Sequence, residues 1–287
     1  MKSTVIANTN IALCKYWGKR NDNLILPMNS SISVTLTGTQ TTTTVEFSKK
    51  YSRHTIIIND KEFKLDEKNI PAHLDKILNI AGLKGYFAKV VSISTLPIGA
   101  GLASSAAGFA ALTYAATSAL GLKLSVKELS ILTRQGSGSA CRSIQGGFVE
   151  WLKGKNLDGL DSYSKSIRDE NYWPEFTIIA TIISNKQKEV SSRVGMAQTI
   201  KTSPFYKGWL DTVDKDYNDI RKGILKKDII LVGSVSEKNS IKMHSTMMTT
   251  DPMNLYWMPE TITIIKAIEK IRSKGIPAYF TMDAGPN

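Results

Sequence analysis

Residues 97–108 read Pro-Ile-Gly-Ala-Gly-Leu-Ala-Ser-Ser-Ala-Ala-Gly, and their setting decides the fold class. An alternating apolar run at 88–94 leads into them, and an Ala-rich helical pattern follows through Leu120. The order is strand, glycine loop, helix, with Ser104 and Ser105 opening the helix. Glycines let a backbone approach a ligand closely and take conformations that a Cβ disfavours. The first helical turn has unpaired N–H groups, and the helix dipole places roughly half a positive charge there. Such a loop suits an anion, above all a phosphate. A turn of small residues packed beneath a domain fits the same composition equally well. No Gly-Lys-Ser/Thr follows the glycines, so this is not a Walker A loop.

Outward from that stretch, 287 residues leave room for one large domain or two. With 42% hydrophobic and 8% aromatic residues, the chain has the composition of a soluble globular protein. No apolar run approaches the ~20 residues that span a bilayer. The first residues, Met-Lys-Ser-Thr-Val-Ile-Ala-Asn, lack the apolar centre of a signal peptide. Cys14 and Cys141 form neither a CxxC nor a disulfide pattern, which fits a reducing cytosol. The expectation is a soluble, cytoplasmic protein. A net charge of +12 rests on many lysines, yet acids are mixed among them at 61–68 and 221–228. A solvated Lys-rich surface accounts for most of this. A site for polyanionic small molecules or a nucleic-acid face would account for the rest. Zinc-finger spacing, RNP-type motifs and uninterrupted basic blocks are all missing, which argues against nucleic acid.

Taken in order, residues 3–12 read as a strand, followed by Asn-Ile-Ala-Leu-Cys-Lys-Tyr-Trp-Gly-Lys-Arg at 10–20. Lys15 and Lys19 bracket an aromatic pair and a glycine. Each charge contact at ~4 Å is worth ~4 kcal/mol at an effective dielectric of ~20, so an anion or acid could offset their crowding. Two exposed lysines on a surface turn are the plainer reading. The Thr/Val runs at 30–37 and 41–47 suggest paired strands about Gly38. A β pattern follows at 54–58, with a turn before 62–64. Residues 70–81 carry helical spacing closed by Gly82. Ser125-x-x-Glu128 is a capping box for a short helix through Thr133. At 134–143, Arg-Gln-Gly-Ser-Gly-Ser-Ala-Cys-Arg-Ser offers hydroxyls, backbone N–H groups and guanidinium forks to a phosphate or carboxylate; a polar surface turn fits as well. A strand at 145–152 and a polar loop with a weak helix at 153–169 precede a domain boundary, giving units 1–170 and 171–287. The second half reads as a strand at 176–184, a helix from about 188 to 200, helices at 203–222, 226–248 and 259–274, and a last strand at 279–282. Asp283-Ala-Gly-Pro-Asn287 is by default a turn. The class is α/β (α+β).

Seven of these segments together resemble the ATP-dependent diphosphomevalonate decarboxylase family of the galactokinase–homoserine kinase–mevalonate kinase–phosphomevalonate kinase (GHMP) superfamily. They are NIALCKYWGKR (10–20), NSSISVTL (29–36), PIGAGLASSAAG (97–108), GSGSACRSIQGGFVEW (136–151), KEVSSRVGM (188–196), NSIKMH (239–244) and DAGPN (283–287). They follow the family's order and span nearly the whole chain.

The resemblance implies a two-domain GHMP-kinase-like fold with the active site in a cleft. Residues 1–170 would be the ATP-binding domain and 171–287 the C-terminal domain. It implies that ATP and mevalonate 5-diphosphate give isopentenyl diphosphate, carbon dioxide, ADP and phosphate, with Mg²⁺ bridging the nucleotide phosphates. Asp283 would take or orient the proton of the C3 hydroxyl, with Lys15 near that aspartate and the transferring phosphoryl group, and Arg142 on the substrate carboxylate. Tyr16, Trp17, Gly18 and Lys19 match the diphosphate-holding segment. Ser137, Gly138, Ser139, Ala140 and Cys141 complete the Arg142 loop, and Ser192 and Arg193 add substrate contacts. Ser94, Gly99, Gly101, Ser104 and Ser105 would hold the ATP phosphates. Lys68 could reach the diphosphate from a loop, and no residue is assigned as a metal ligand. His244 reads as helix packing, and Cys141 as structural, though Arg142 beside it should lower its pKa. A homodimer is common in the family. Its pattern continues beyond DAGPN through another strand and usually a helix. The sequence as it stands is therefore expected to lack them, leaving the 283–287 loop unsupported. Relatives that only phosphorylate the C3 hydroxyl, or that act on the monophosphate, are the alternatives; a basic nucleic-acid-binding protein is a distant one.

Overall fold

The computed structural model describes residues 1–63, 70–95, 104–184, 186 and 188–287. β1 (Lys2–Cys14) is followed by a short ribbon of β2 (Lys19–Asn21) and β3 (Leu26–Pro27), and then by the long β4 (Ser31–Ser48). β1 and β4 pair antiparallel from Lys2↔Glu46 to Cys14↔Ile32. On its other edge β4 takes two partners, β7 (Phe87–Ser94) along residues 41–48 and β8 (Phe148–Trp151) along 31–34. β5 (Thr55–Ile58) runs parallel to β7 and pairs with β6 (Lys61–Glu62), while β9 (Ser164–Arg168) pairs with β8. The seven strands form one mixed sheet.

The two Thr/Val runs do not fold into a hairpin about Gly38. β1 is long enough to pair with both, so they continue as one strand. The extra residues are absorbed in a bulge: Gln40 pairs with Asn8, but Thr35 pairs with Asn10. Gly38 lies in that bulge at φ 77°. The 153–169 segment contains β9 in place of a weak helix, because its backbone finds a free edge on β8.

Two apolar cores build on the sheet. In one, Val45, Phe47 and Val90 meet Leu74 and Ile77 of α1 (Ile70–Ile80), Phe109 and Leu112 of α2 (Ser104–Ala119), and Leu132 of α3 (Val126–Gly136). The capping box of α3 forms as expected, with Ser125 N–H donating to Glu128 Oε2 at 2.8 Å. In the other core, Leu13, Trp17, Ile32 and Phe148 pack with Trp209, Val213 and Ile220 of α5 (Tyr206–Lys226) and Val232, Met243 and Met247 of α6 (Ile229–Met248). This core therefore draws on both halves of the chain. α4 (Ser192–Thr202) and α7 (Pro259–Arg272) complete the helices, and no helix among the described residues is long and apolar enough to cross a membrane.

The strands expected at 176–184 and 279–282 do not form. Alternation describes side chains, whereas a strand also needs a neighbour for its backbone. At the ends of these runs, side chains take the backbone groups. Ser240 Oγ donates to Met282 C=O at 3.0 Å and accepts from its N–H at 2.9 Å. Asn287 Oδ1 accepts from the N–H groups of Ile183 and Ser184 at 2.6 and 3.0 Å.

Candidate active site

β1 ends at the fully buried Cys14, and the next residue, Lys15, is itself only 1% exposed. Its Nζ donates to Asp283 Oδ1 at 2.6 Å and to Ala12 C=O at 2.8 Å. Burial lowers the Lys15 pKa, opposed by the charge and hydrogen bond of Asp283. Asp283 is 26% exposed, so the ion pair is closed on the lysine side and open to a ligand on the other. Contrary to the expectation of an unsupported loop, residues 283–287 are held at several points. His244 Nε2 bonds the Asp283 carbonyl at 3.1 Å, Lys188 Nζ the Ala284 carbonyl at 2.8 Å, and Thr261 Oγ1 the Pro286 carbonyl at 3.0 Å.

Arg142 lies on a 3₁₀ helix, Gly138–Ile144, most of which is buried rather than forming a surface turn. Its guanidinium donates to Ser31 Oγ at 2.6 Å, while its Nε is buried without a partner. Among the described residues no carboxylate forms a salt bridge with it. Burial pushes its pKa down. Nearby, the Tyr16 hydroxyl is also buried and unpartnered, and burial raises its pKa. The Tyr16 ring stands edge-on to Trp151, centroids 4.6 Å apart. Gly138 makes this packing possible: a Cβ there would meet Trp151 at 2.8 Å and Tyr16 at 3.0 Å. Buried polar groups are nearly always hydrogen-bonded, so a guanidinium and a phenol left short suggest a missing ligand.

The rest of the segment is fixed around them. Trp17 Nε1 donates to Thr199 Oγ1 at 3.1 Å. Gly18 sits at φ 110° with the Tyr206 hydroxyl 1.8 Å from where a Cβ would be, so only glycine fits. Lys19 is nearly buried and pairs with the exposed Asp22 at 2.5 Å. Each of the two lysines thus has its own acid, and neither is a plain surface cation. Ser137 N–H donates to Thr133 C=O at 3.0 Å, and the Ser139 carbonyl accepts from Asn10 at 3.3 Å. Ala140 and Cys141 are fully buried. The Cys141 thiol is pushed up to about 12, because burial outweighs Arg142 and reverses the expected direction. At the start of α4, Ser192 Oγ accepts from Lys188 at 2.7 Å, while Arg193 is exposed and its charge is felt at Tyr16.

A separate cleft opens beside the N-terminal turn of α2. Ile56, Ile58, Ile70, Val90, Phe109 and Leu112 give it apolar walls, and Thr41, Ser92, Ser94 and Ser105 bring hydroxyls. Ser94 is fixed by its N–H donating to Asn59 Oδ1 at 2.9 Å. Gly99, Gly101, Lys68 and the side chain of Ser104 lie outside the described residues. Among the described residues no three His, Cys, Asp or Glu side chains gather into a metal nest. With no such nest, a Mg²⁺ would arrive with the nucleotide, since Mg²⁺ is usually held by one or two carboxylates plus substrate phosphates.

Sequence reading missed several supports. Ser31 anchors Arg142, and Asn239 accepts the Lys15 N–H at 2.8 Å. Both lie inside the motifs NSSISVTL and NSIKMH, which was the available signal. Arg134 goes the other way. Its Nε and Nη1 donate to the carbonyls of Leu24, Gly159 and Ser162, which ties loops together, while its Nη2 is buried without a partner.

Known proteins resemble this chain along nearly its whole length. Residues 7–164 match the Diphosphomevalonate decarboxylase-like N-terminal domain, and residues 178–287 match the Mevalonate 5-diphosphate decarboxylase C-terminal domain. The diphosphomevalonate decarboxylase of Rattus norvegicus is 35% identical over 99% of this chain and 75% of its own. A solved structure described as MDDEF in complex with MVAPP, AMPPCP and magnesium is 44% identical, with a TM-score of 0.92 over 100% of this chain and 87% of that one. The mevalonate diphosphate decarboxylase of Staphylococcus aureus is 39% identical, with a TM-score of 0.91 over 100% of this chain and 86% of its own.

Proposed function

The chain belongs to the diphosphomevalonate decarboxylase family, and from that membership we propose that it converts ATP and mevalonate 5-diphosphate into isopentenyl diphosphate, carbon dioxide, ADP and phosphate. The observation that carries this reading is the buried Lys15–Asp283 ion pair, together with Arg142, a buried cation without a carboxylate partner.

The chemistry needs a poor leaving group made good. Asp283 accepts the proton of the C3 hydroxyl as its oxygen bonds to the γ-phosphorus and the bond to ADP breaks. General-base help of this kind is worth ~10²–10⁴-fold. Lys15 places its charge beside the phosphoryl group in transit, where positioning and charge stabilisation do most of the catalysis. The C3–O bond then breaks, phosphate departs, and the electrons of the carboxylate C–C bond form the new double bond as carbon dioxide leaves. Arg142 holds that carboxylate through its planar fork, and the Tyr16 hydroxyl joins the segment that holds the diphosphate. Lys19, Ser192, Arg193 and the backbone at Trp17 and Gly18 hold the diphosphate, and the loop from Ser137 to Cys141 shapes the wall. The apolar cleft beside α2 takes the base and sugar of ATP. Ser94 and Ser105 take its phosphates beside the first turn of α2, and the family resemblance adds Ser104, Gly99 and Gly101 to that role. Mg²⁺, when bound, neutralises charge on those phosphates.

In this reading residues 1–170 are the ATP-binding domain and 171–287 the C-terminal domain. Cytoplasmic location is supported by the two buried free thiols, Cys14 and Cys141. A homodimer is proposed on family grounds alone. The test is ADP release with mevalonate, its 5-phosphate and its 5-diphosphate. Preference for the diphosphate, with isopentenyl diphosphate as product, is expected. Preference for another of the three, or ADP release without isopentenyl diphosphate, would refute the proposal.

A further inference from the structure

We propose that His244, acting with Asn239 and Ser240 on the same helix, is a positioning residue that sets the Lys15–Asp283 pair. The two partners are 268 residues apart in the chain, so nothing local aligns them. Helix α6 touches both. Asn239 Oδ1 accepts the backbone N–H of Lys15 at 2.8 Å. Ser240 Oγ clamps both backbone groups of Met282. His244, one turn further along the same face, meets the carbonyl of Asp283 at 3.1 Å. All three side chains belong to residues no more than 1% exposed.

Hydrogen-bonding capacity fixes their orientation. A carbonyl can only accept, so Nε2 of His244 carries the proton and donates. Asn239 turns its oxygen to Lys15 because its amide nitrogen donates to Asp216 Oδ2 at 2.8 Å, and the same Asp216 oxygen also pairs with Lys242. The imidazole is held in place by Trp257 and Tyr256, with ring centroids 5.5 and 6.5 Å away. Burial pushes its pKa down to about 4, so it remains a neutral donor at neutral pH. One rigid helix thus grips the backbone on both sides of the ion pair. Misplacement of a reacting group by ~1 Å can cost ~10²-fold in rate, so this grip should be visible in turnover.

The inference rests on Asp283 being the group that takes the hydroxyl proton. The experiment is steady-state kinetics of the full chain for His244→Phe, His244→Gln, Asp283→Ala and the double variant Asp283→Ala/His244→Phe. His244→Phe should lower kcat by roughly 10- to 100-fold, with KM for both substrates within about threefold. Gln can place an amide N–H near Nε2 and should restore most of that loss. In the Asp283→Ala background, His244→Phe should add less than about twofold, because the two act as one unit. Near-normal kcat for His244→Phe, failure of Gln to rescue, or fully multiplicative effects would overturn the proposal. Near-normal turnover of Asp283→Ala would remove both the base and its positioning. A crippled Asp283→Ala beside a healthy His244→Phe would remove the positioning alone. Should His244→Phe fail to fold, Ser240→Ala carries the same test: kcat down about tenfold at constant KM supports the proposal, and unchanged kcat overturns it.

Discussion

Lys15 and Arg142 are both cations taken out of water, and they are compensated differently. Lys15 has a carboxylate at 2.6 Å, whereas Arg142 has a serine hydroxyl and an Nε left without a partner. A buried charge without a counter-ion is costly, so Arg142 gains most when an anion arrives. Their removal should therefore have different kinetic effects. Asp283→Ala should lower kcat by ~10²–10⁴-fold while KM changes little, because its role is exercised mainly in the transition state. Arg142→Lys should impair both kcat and KM, since an ammonium cannot reproduce the planar fork. Steady-state kinetics on the two variants checks this; an Arg142→Lys enzyme with wild-type constants would contradict the account of the guanidinium. At this scale the sequence was legible where motif residues carry charge. The resemblance set Lys15 near Asp283, but nothing in the sequence assigned Asp22 to Lys19; that pairing depends on the folded chain.

Among the elements, helices were easier to read than strands. α7 begins at Pro259 where the sequence reading placed it, because proline at a first helical turn is a local signal. Residues 176–184 and 279–282 alternate like strands yet join no ladder, and at Ile183, Ser184 and Met282 the side chains of Asn287 and Ser240 take the backbone groups. Two helices are also tied in place through neutral histidines. His73 of α1 bonds Thr113 of α2 at 2.8 Å, and His244 of α6 bonds the Asp283 carbonyl. Burial pushes both pKa values down to about 4. The unfolded chain takes up these protons near pH 6.5, before the folded chain does. The stability from the two neutral rings is thus fully present above that pH and is lost as pH falls toward about 4. The shifts correspond to about 3 kcal/mol for each histidine. Urea titrations should show a midpoint that falls steadily between pH 7 and 4.5, with part of the fall removed in His73→Leu. A midpoint independent of pH over that range would contradict the burial of neutral imidazoles.

For the whole molecule, the decisive feature is that one core is shared by both halves of the chain. Trp17 and Tyr206 meet in it, and the Tyr206 hydroxyl donates to the Trp17 carbonyl at 3.1 Å. That junction brings the end of β1 and the final residues 283–287 to one place, with Arg142 near both. The order of motifs along the sequence predicted the family, and with it a meeting of Lys15, Arg142 and Asp283. The means of that meeting, a helix gripping both partners, was not legible. Asn239 and His244 look like ordinary buried polar residues until the carbonyl and N–H they bond are known. The central claim is that this junction couples phosphoryl transfer to loss of the carboxylate. It is tested most directly in a single turnover with excess enzyme, Mg-ATP and mevalonate 5-diphosphate labelled in the carboxyl carbon. The account predicts one labelled carbon dioxide and one isopentenyl diphosphate for each ADP formed. ADP appearing while the label stays in a phosphorylated, undecarboxylated product would contradict it.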